Sequence, residues 1–124
     1  MDELVLSSLP HTWIIDLDGT IVKHNGDLID GYDTILSESV AFLSSLPDED
    51  RIIILTARSF DRRDRTISFL NENHVRYDEI LFGMPVGERV LINDSKPSGL
   101  TMSYAINVKR DSGIILDIEI NTHL

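Results

Sequence analysis

Cysteine is absent from this 124-residue chain, so neither a disulfide nor a thiolate metal site can form. That composition suits a reducing compartment, and we expect a cytoplasmic protein. No apolar run approaches the ~18 residues that a membrane span needs, and the stretch MDELVLSSLP lacks the basic start and apolar core of a secretory signal. Basic residues are also few. There are 11 against 21 acidic ones, and a net charge of -10 makes nucleic-acid binding an unfavoured function.

Short runs rich in Ile, Val and Leu recur along the chain and alternate with helical patterns. Such runs are typical of strands buried on both faces of a parallel sheet. We expect these strands at 12–16, 51–56, 79–82, 89–93 and 104–108. Helical spacing predicts helices within 32–46 and 59–74. The order predicts an α/β fold, with a Rossmann-like parallel sheet of about five strands flanked by helices, in one domain over 1–124.

The tail of the chain, residues 114–124, alternates apolar and polar side chains. Alternation with a period of two is typical of a half-buried strand. We expect an edge strand or an interface strand there, and its apolar face offers a surface for a homo-oligomer.

Polar groups follow three of the predicted strands. They are Asp16 and Asp18 in WIIDLDGT, Thr56 and Arg58 in ILTAR, and Asn93 and Asp94 in LIND. Because the carboxyl ends of parallel strands meet at one edge, where ligands bind, we expect these groups to converge. Three carboxylates and a hydroxyl suit Mg²⁺, and a carboxylate beside such a cation can attack phosphorus. Taken alone, DLDGT is equally typical of a strand followed by a turn.

The stretches DLDGT, ILTAR and LINDSKP, in this order, resemble the haloacid dehalogenase superfamily of phosphohydrolases over residues 12 to about 108. More narrowly, they are similar to small members found with capsule and lipopolysaccharide sugar biosynthesis. The resemblance implies that Asp16 is the nucleophile, which forms an aspartyl-phosphate, and that Asp18 is the general acid and then the base. It also implies that Mg²⁺ is held by Asp16, the backbone carbonyl of Asp18, and Asp94.

The same resemblance implies a cradle for the phosphoryl oxygens. Thr56 would bond one oxygen through its hydroxyl, and backbone N–H groups around Gly19, Thr20 and Ala57 would bond others. Donors placed in this way stabilise the charge that these oxygens gain in the transition state.

One part of the family pattern is missing here. The superfamily uses a lysine that bridges the nucleophile and the phosphate, but the expected stretch reads FGMP, with the uncharged Met84 at that place. Lys96 is the best substitute, and we expect its ammonium group within about 4 Å of the Asp16 carboxylate. Arg58 is the second candidate. The alternative is a solvated Lys96 in a weak or inactive member.

Four of the eleven basic residues, all arginines, lie within 58–65. One interpretation is a solvated helix face, salt-bridged to the interleaved Asp61 and Asp64. In the other, Arg58 or Arg62 contacts a phosphate or carboxylate of the substrate.

The spacing of the motifs leaves no room for a separate cap domain. The intervals 19–55 and 57–93 hold 37 residues each, whereas a self-standing domain needs roughly 50. A hairpin flap at 22–30 is expected to cover the site instead. We therefore expect a Mg²⁺-dependent phosphomonoesterase for a small phosphorylated metabolite, such as a sugar or polyol phosphate of surface-polysaccharide synthesis. The alternatives are a polynucleotide-end phosphatase and a catalytically weak phosphate-binding or scaffold domain.

Overall fold

The computed structural model describes residues 2–124. Its strands are β1 (Asp2–Leu6), β2 (Thr12–Asp16), β3 (Arg51–Leu55), β4 (Glu79–Leu81) and β5 (Leu116–Ile120). Its helices are α1 (Gly26–Ile29), α2 (Ser37–Ser45) and α3 (Arg63–Glu72), and a 3₁₀ turn at Phe60–Arg62 leads into α3. All strand pairs are parallel, so the α/β class is confirmed. No helix in this part of the chain has both the length and the apolarity to cross a bilayer.

The prediction of a single five-stranded sheet is wrong. Strands β2, β3 and β4 form one sheet in that order, and β1 pairs with β5 in a second, two-stranded sheet. The runs 89–93 and 104–108 are not strands; Val90 and Ile92 are 80% and 91% exposed. Apolar composition favours burial, but a strand also needs backbone partners. The two described sheets supply none for these two runs.

Strand β1 was not expected from the sequence. Its Leu4 and Leu6 are buried and stand opposite Ile118 and Ile120 of β5. The tail strand was expected, and this pairing confirms it. The signal for β1 was the short apolar stretch LVL at 4–6, which is too brief to distinguish a strand from a turn of helix.

Helix α2 begins later than its apolar spacing predicts. Residues 34–36 instead pair with 21–23, through bonds from Lys23 N–H to the Thr34 carbonyl (2.9 Å) and from Leu36 N–H to the Ile21 carbonyl (2.9 Å). The helix ends before Pro47, as expected, because the residue that precedes a proline favours extended backbone.

The predicted hairpin at 22–30 is also wrong. The chain makes a turn and the short helix α1 there, then returns through the antiparallel bridge between Val22 and Ile35. This path sets the acidic residues of the segment against α3, a placement that matters for the site.

The core lies between the three-stranded sheet and helices α2 and α3. It contains Ile15, Leu17, Ile21, Val22, Leu43, Leu46, Ile52, Ile54, Leu70, Val75 and Ile114. Alternate residues of β3 point into it, since Ile52 and Ile54 are fully buried. The core therefore fixes β2 and β3 side by side, with their carboxyl ends at one edge.

Candidate active site

The carboxyl ends of β2 and β3 bring the first two motifs together. Asp16 stands opposite Leu55 in the parallel register, so Thr56 follows at the same edge. After Asp16 the chain turns tightly, and the Leu17 carbonyl accepts N–H bonds from Thr20, Ile21 and Val22 at 2.9–3.2 Å. This turn holds Asp16 and Asp18 at the edge of the sheet.

Asp16 is partly open to solvent, with 43% of its side chain exposed. The Thr20 hydroxyl donates to Oδ2 at 3.2 Å, and Arg89 Nη1 donates to Oδ1 at 2.9 Å. The carboxylate is therefore oriented by two donors and still reachable from outside.

Asp18 is held by an arginine instead. Arg58 Nε and Nη2 donate to its two oxygens at 3.0 and 2.9 Å, and Nη1 and Nη2 donate to Asp33 at 3.0 and 2.7 Å. Nη1 also donates to the Thr66 hydroxyl at 2.9 Å. The Arg58 side chain is only 1% exposed. Burial works to lower its pKa, but the hydrogen bonds to Asp33 and Asp18 outweigh burial and hold the pKa above its usual value.

Asp27, on α1, forms the next part of this network. Arg62 Nε donates to it at 3.0 Å, and Arg65 and Arg58 lie 3.5 and 3.7 Å from its carboxylate. Burial alone would raise the pKa of Asp27, but the hydrogen bond from Arg62 and the charges of the arginines hold it below its usual value. The arginines are therefore salt-bridged, though chiefly to Asp18, Asp27 and Asp33 rather than to the Asp61 and Asp64 that the sequence suggested.

The three carboxylates of this network, Asp18, Asp27 and Asp33, offer oxygens within 4.8 Å of one another. Three acidic groups at that spacing suit a cation, but the guanidinium of Arg58 already lies among them, with Arg62 and Arg65 against Asp27. Three positive groups face three negative ones. The cluster is thus compensated by the protein itself, and it does not indicate a metal centre.

Of the expected Mg²⁺ ligands, the Asp16 and Asp94 side chains are both accessible to solvent. Asp16 offers an accessible hard oxygen, as Mg²⁺ prefers. Asp94 lies in the exposed segment after β4, and among residues 2–124 the close acidic group includes neither Asp16 nor Asp94. The set of Asp16, the Asp18 carbonyl and Asp94 holds only two side-chain carboxylates, so it stays a prediction.

The residues expected to form the phosphate cradle lie at this edge of the sheet, but most of their donors and acceptors already have partners within the protein. Thr56 is 1% exposed, and its hydroxyl accepts the Arg58 N–H at 3.0 Å. The Gly19 N–H donates to the Val22 carbonyl at 2.7 Å. Ala57 is exposed, and Thr20 contributes its hydroxyl to Asp16.

The ion pair expected between Lys96 and Asp16 is not formed. Within the described residues the cation on Asp16 is Arg89, and Lys96 lies exposed in the loop that follows Asp94. Segment 83–115, which carries both Arg89 and Lys96, contains no helix or strand. The position of these two residues along the sequence therefore does not predict which of them reaches the Asp16 carboxylate.

Sequence reasoning missed Arg89, Asp27 and Asp33. Asp27 and Asp33 carried a usable signal, because buried arginines need carboxylates nearby and the arginine-rich segment 58–65 was visible in the sequence. Arg89 carried none, since its contact spans 73 residues of chain.

No family model, curated protein or solved structure matches this chain. The resemblance to the haloacid dehalogenase superfamily therefore stays a prediction, carried by the three motifs.

Proposed function

We propose that this chain is a Mg²⁺-dependent phosphomonoesterase that acts on a small phosphorylated metabolite. The observation that carries the proposal is the Asp16 carboxylate, which is accessible at the carboxyl end of a parallel strand and flanked by a hydroxyl and a guanidinium. Open parallel sheets bind their ligands at this edge. A sugar or polyol phosphate is the substrate that the motif resemblance favours.

The chemistry runs in two steps. An Asp16 oxygen bonds to phosphorus as the bond from phosphorus to the ester oxygen breaks, and the leaving oxygen takes that electron pair and a proton from Asp18. A water oxygen then bonds to phosphorus as the bond from phosphorus to the Asp16 oxygen breaks, and Asp18 takes a proton from the water. Inorganic phosphate leaves, and Asp16 is again a carboxylate. Mg²⁺, when bound by Asp16, the Asp18 carbonyl and Asp94, would neutralise charge on the phosphoryl oxygens.

The hydrogen bonds from Arg58 to Asp18 limit when Asp18 can act as the general acid of this mechanism. Both Asp18 oxygens accept bonds from the guanidinium, so Asp18 must exchange Arg58 for the leaving oxygen before it can donate a proton. The same observation favours a second candidate, a catalytically weak phosphate-binding domain, in which Asp18 stays with Arg58.

The charges of the site bear on its partners. Arg58 and Arg62 are committed to carboxylates, which leaves only Arg63 and Arg65 of the arginine cluster exposed for a polynucleotide. A small phosphate is therefore preferred. We also propose a cytoplasmic location, from the absence of cysteine, and self-association through β5, where Ile120 is 47% exposed.

Turnover of p-nitrophenyl phosphate tests the proposed function. The wild type should hydrolyse it with Mg²⁺ and stop when a chelator is added. Asp16→Asn should reduce turnover to background, because an amide is a poor nucleophile, while Asp64→Asn, at a 97% exposed carboxylate, should match the wild type. Wild-type turnover by Asp16→Asn would exclude the covalent mechanism.

Binding of Mg²⁺ separately tests Asp94, the third proposed ligand of the ion. Asp94→Ala should leave the metal-free melting temperature unchanged, since Asp94 is exposed, but should reduce the rise in melting temperature that Mg²⁺ produces. Asp48→Ala, at another exposed acidic position, is the matched control. An unchanged rise would remove Asp94 from the metal site.

A further inference from the structure

Arg89 forms an ion pair with the carboxylate of Asp16, across 73 residues of chain. Its Nη1 lies 2.9 Å from Oδ1, and the two side chains are 39% and 43% exposed. Within residues 2–124, Arg89 makes no second ion pair. Its remaining N–H groups are therefore available beside the carboxylate that we propose as the nucleophile.

We propose that Arg89 binds the phosphoryl group of the substrate and screens its charge from Asp16. The inference rests on the phosphomonoesterase function proposed above. A guanidinium carries five N–H donors in a planar fork. One of them serves Asp16, so others remain for the phosphoryl oxygens, to which charge-assisted bonds are strong. The substrate that this arrangement selects is a dianionic phosphate monoester.

The physical need for such a group is electrostatic. A carboxylate that approaches a phosphate dianion meets like charge, and a cation between them offsets this repulsion most when the two groups are closest. Stabilisation that grows toward the transition state raises the rate rather than the ground-state affinity alone.

The other cations near the site are less suited to this role. Arg58 is buried and donates to Asp18, Asp33 and Thr66. Lys96 is exposed and forms no ion pair with Asp16 among the described residues. The Arg110 stem lies over Gly19, but no ion pair of this part of the chain joins it to Asp16.

Activity of three variants tests the inference. Arg89→Ala should lower kcat/KM for p-nitrophenyl phosphate by about 10²-fold or more, as loss of a transition-state donor does. Arg89→Lys should restore part of that loss because it returns the charge without the fork. Arg63→Ala is the matched control, since Arg63 is exposed and, among residues 2–124, its one ion-pair partner is Asp64. It should match the wild type. Melting temperatures should be unchanged, because surface ion pairs contribute little stability.

A calorimetric titration with inorganic phosphate separates Arg89 from the proposed reaction. Arg89→Ala should weaken phosphate binding at least about tenfold. If the wild type binds phosphate through Arg89 but hydrolyses nothing, the phosphatase proposal fails and Arg89 remains a phosphate ligand. If the wild type is active and Arg89→Ala matches it in both measurements, the inference about Arg89 is overturned and the function stands. A loss confined to Lys96→Ala would also overturn it.

Discussion

Gly19 shapes the turn that presents Asp16 and Asp18. Its φ is +85°, a conformation in which a side chain is strained, and a Cβ placed there would lie 3.3 Å from Arg110 Cγ and 3.7 Å from His24 Cβ. Glycine is thus required twice, once for its backbone and once for its size. Gly31 has nearly the same φ, +84°, but nothing lies within 4 Å of its missing Cβ.

These two glycines allow strain and crowding to be measured separately. Gly31→Ala should cost about 1–2 kcal/mol from the left-handed backbone alone. Gly19→Ala should cost more, because the stem of Arg110 must also move. Unfolding in urea gives both free energies. Equal losses would mean that Arg110 moves aside without cost, and that only the backbone requires glycine at position 19.

Single residues also show where sequence reasoning succeeds and fails. The placement of Asp16 and Thr56 at one edge followed from two apolar runs that each end in a polar group, because the parallel register fixes what comes next. Which cation reaches Asp16 did not follow. Flexible side chains on a segment without helix or strand select partners by three-dimensional proximity, which spacing along the chain does not encode.

Helix α1 and the start of α3 are joined by the buried carboxylate of Asp27. Its side chain is 3% exposed and faces Arg62, Arg65 and Arg58. Because a helix of four residues is too short to be stable by itself, α1 depends on this contact for its position. The arginine network therefore helps to hold segment 22–30 against the start of α3.

The depressed pKa of Asp27 predicts a pH dependence of stability. A folded-state pKa below the ordinary value of about 3.9 gives stability that is present above that pH and lost as pH falls through the folded pKa. Asp27→Asn should therefore be less stable than the wild type at pH 7, by about 1.5–3 kcal/mol. This difference should shrink below about pH 4.

Unfolding curves between pH 7 and pH 2.5 measure this difference directly. Asp64→Asn is the control, because Asp64 is 97% exposed in its pair with Arg63. It should track the wild type at each pH. A gap between Asp27→Asn and the wild type that is as large at pH 2.5 as at pH 7 would show that the network does not depend on ionised Asp27.

Element types were more predictable than element pairing. Periodicity identified β2, β3, β4, β5, α2 and α3, since each buries one or both faces against the core. It failed for 89–93, where Val90, Leu91 and Ile92 are apolar, like the centre of β3, but lie exposed. An apolar run indicates that burial of its side chains is favourable. Whether a sheet edge is free to pair with the run depends on the fold of the whole chain.

The molecule as a whole carries two parallel sheets rather than one. The β1–β5 pair is close to the main core, since Leu116 and Ile118 pack against it. Its strands nevertheless form ladder hydrogen bonds with each other and not with β2, β3 or β4. The class of the fold was predictable because alternation of strands and helices is local. The division into two sheets was not, because β1 and β5 are separated by most of the sequence.

That separation has a consequence for synthesis. The partner of Asp2 in β5 is Leu116, so β1 leaves the ribosome long before the strand it pairs with. At the usual pace of translation the delay is on the order of ten seconds. Through that time Leu4 and Leu6 have no strand to cover them, and a nascent β1 edge is open to other chains. The second sheet can thus form only after β5 has emerged, and until then β1 of the nascent chain is open to aggregation or chaperone capture.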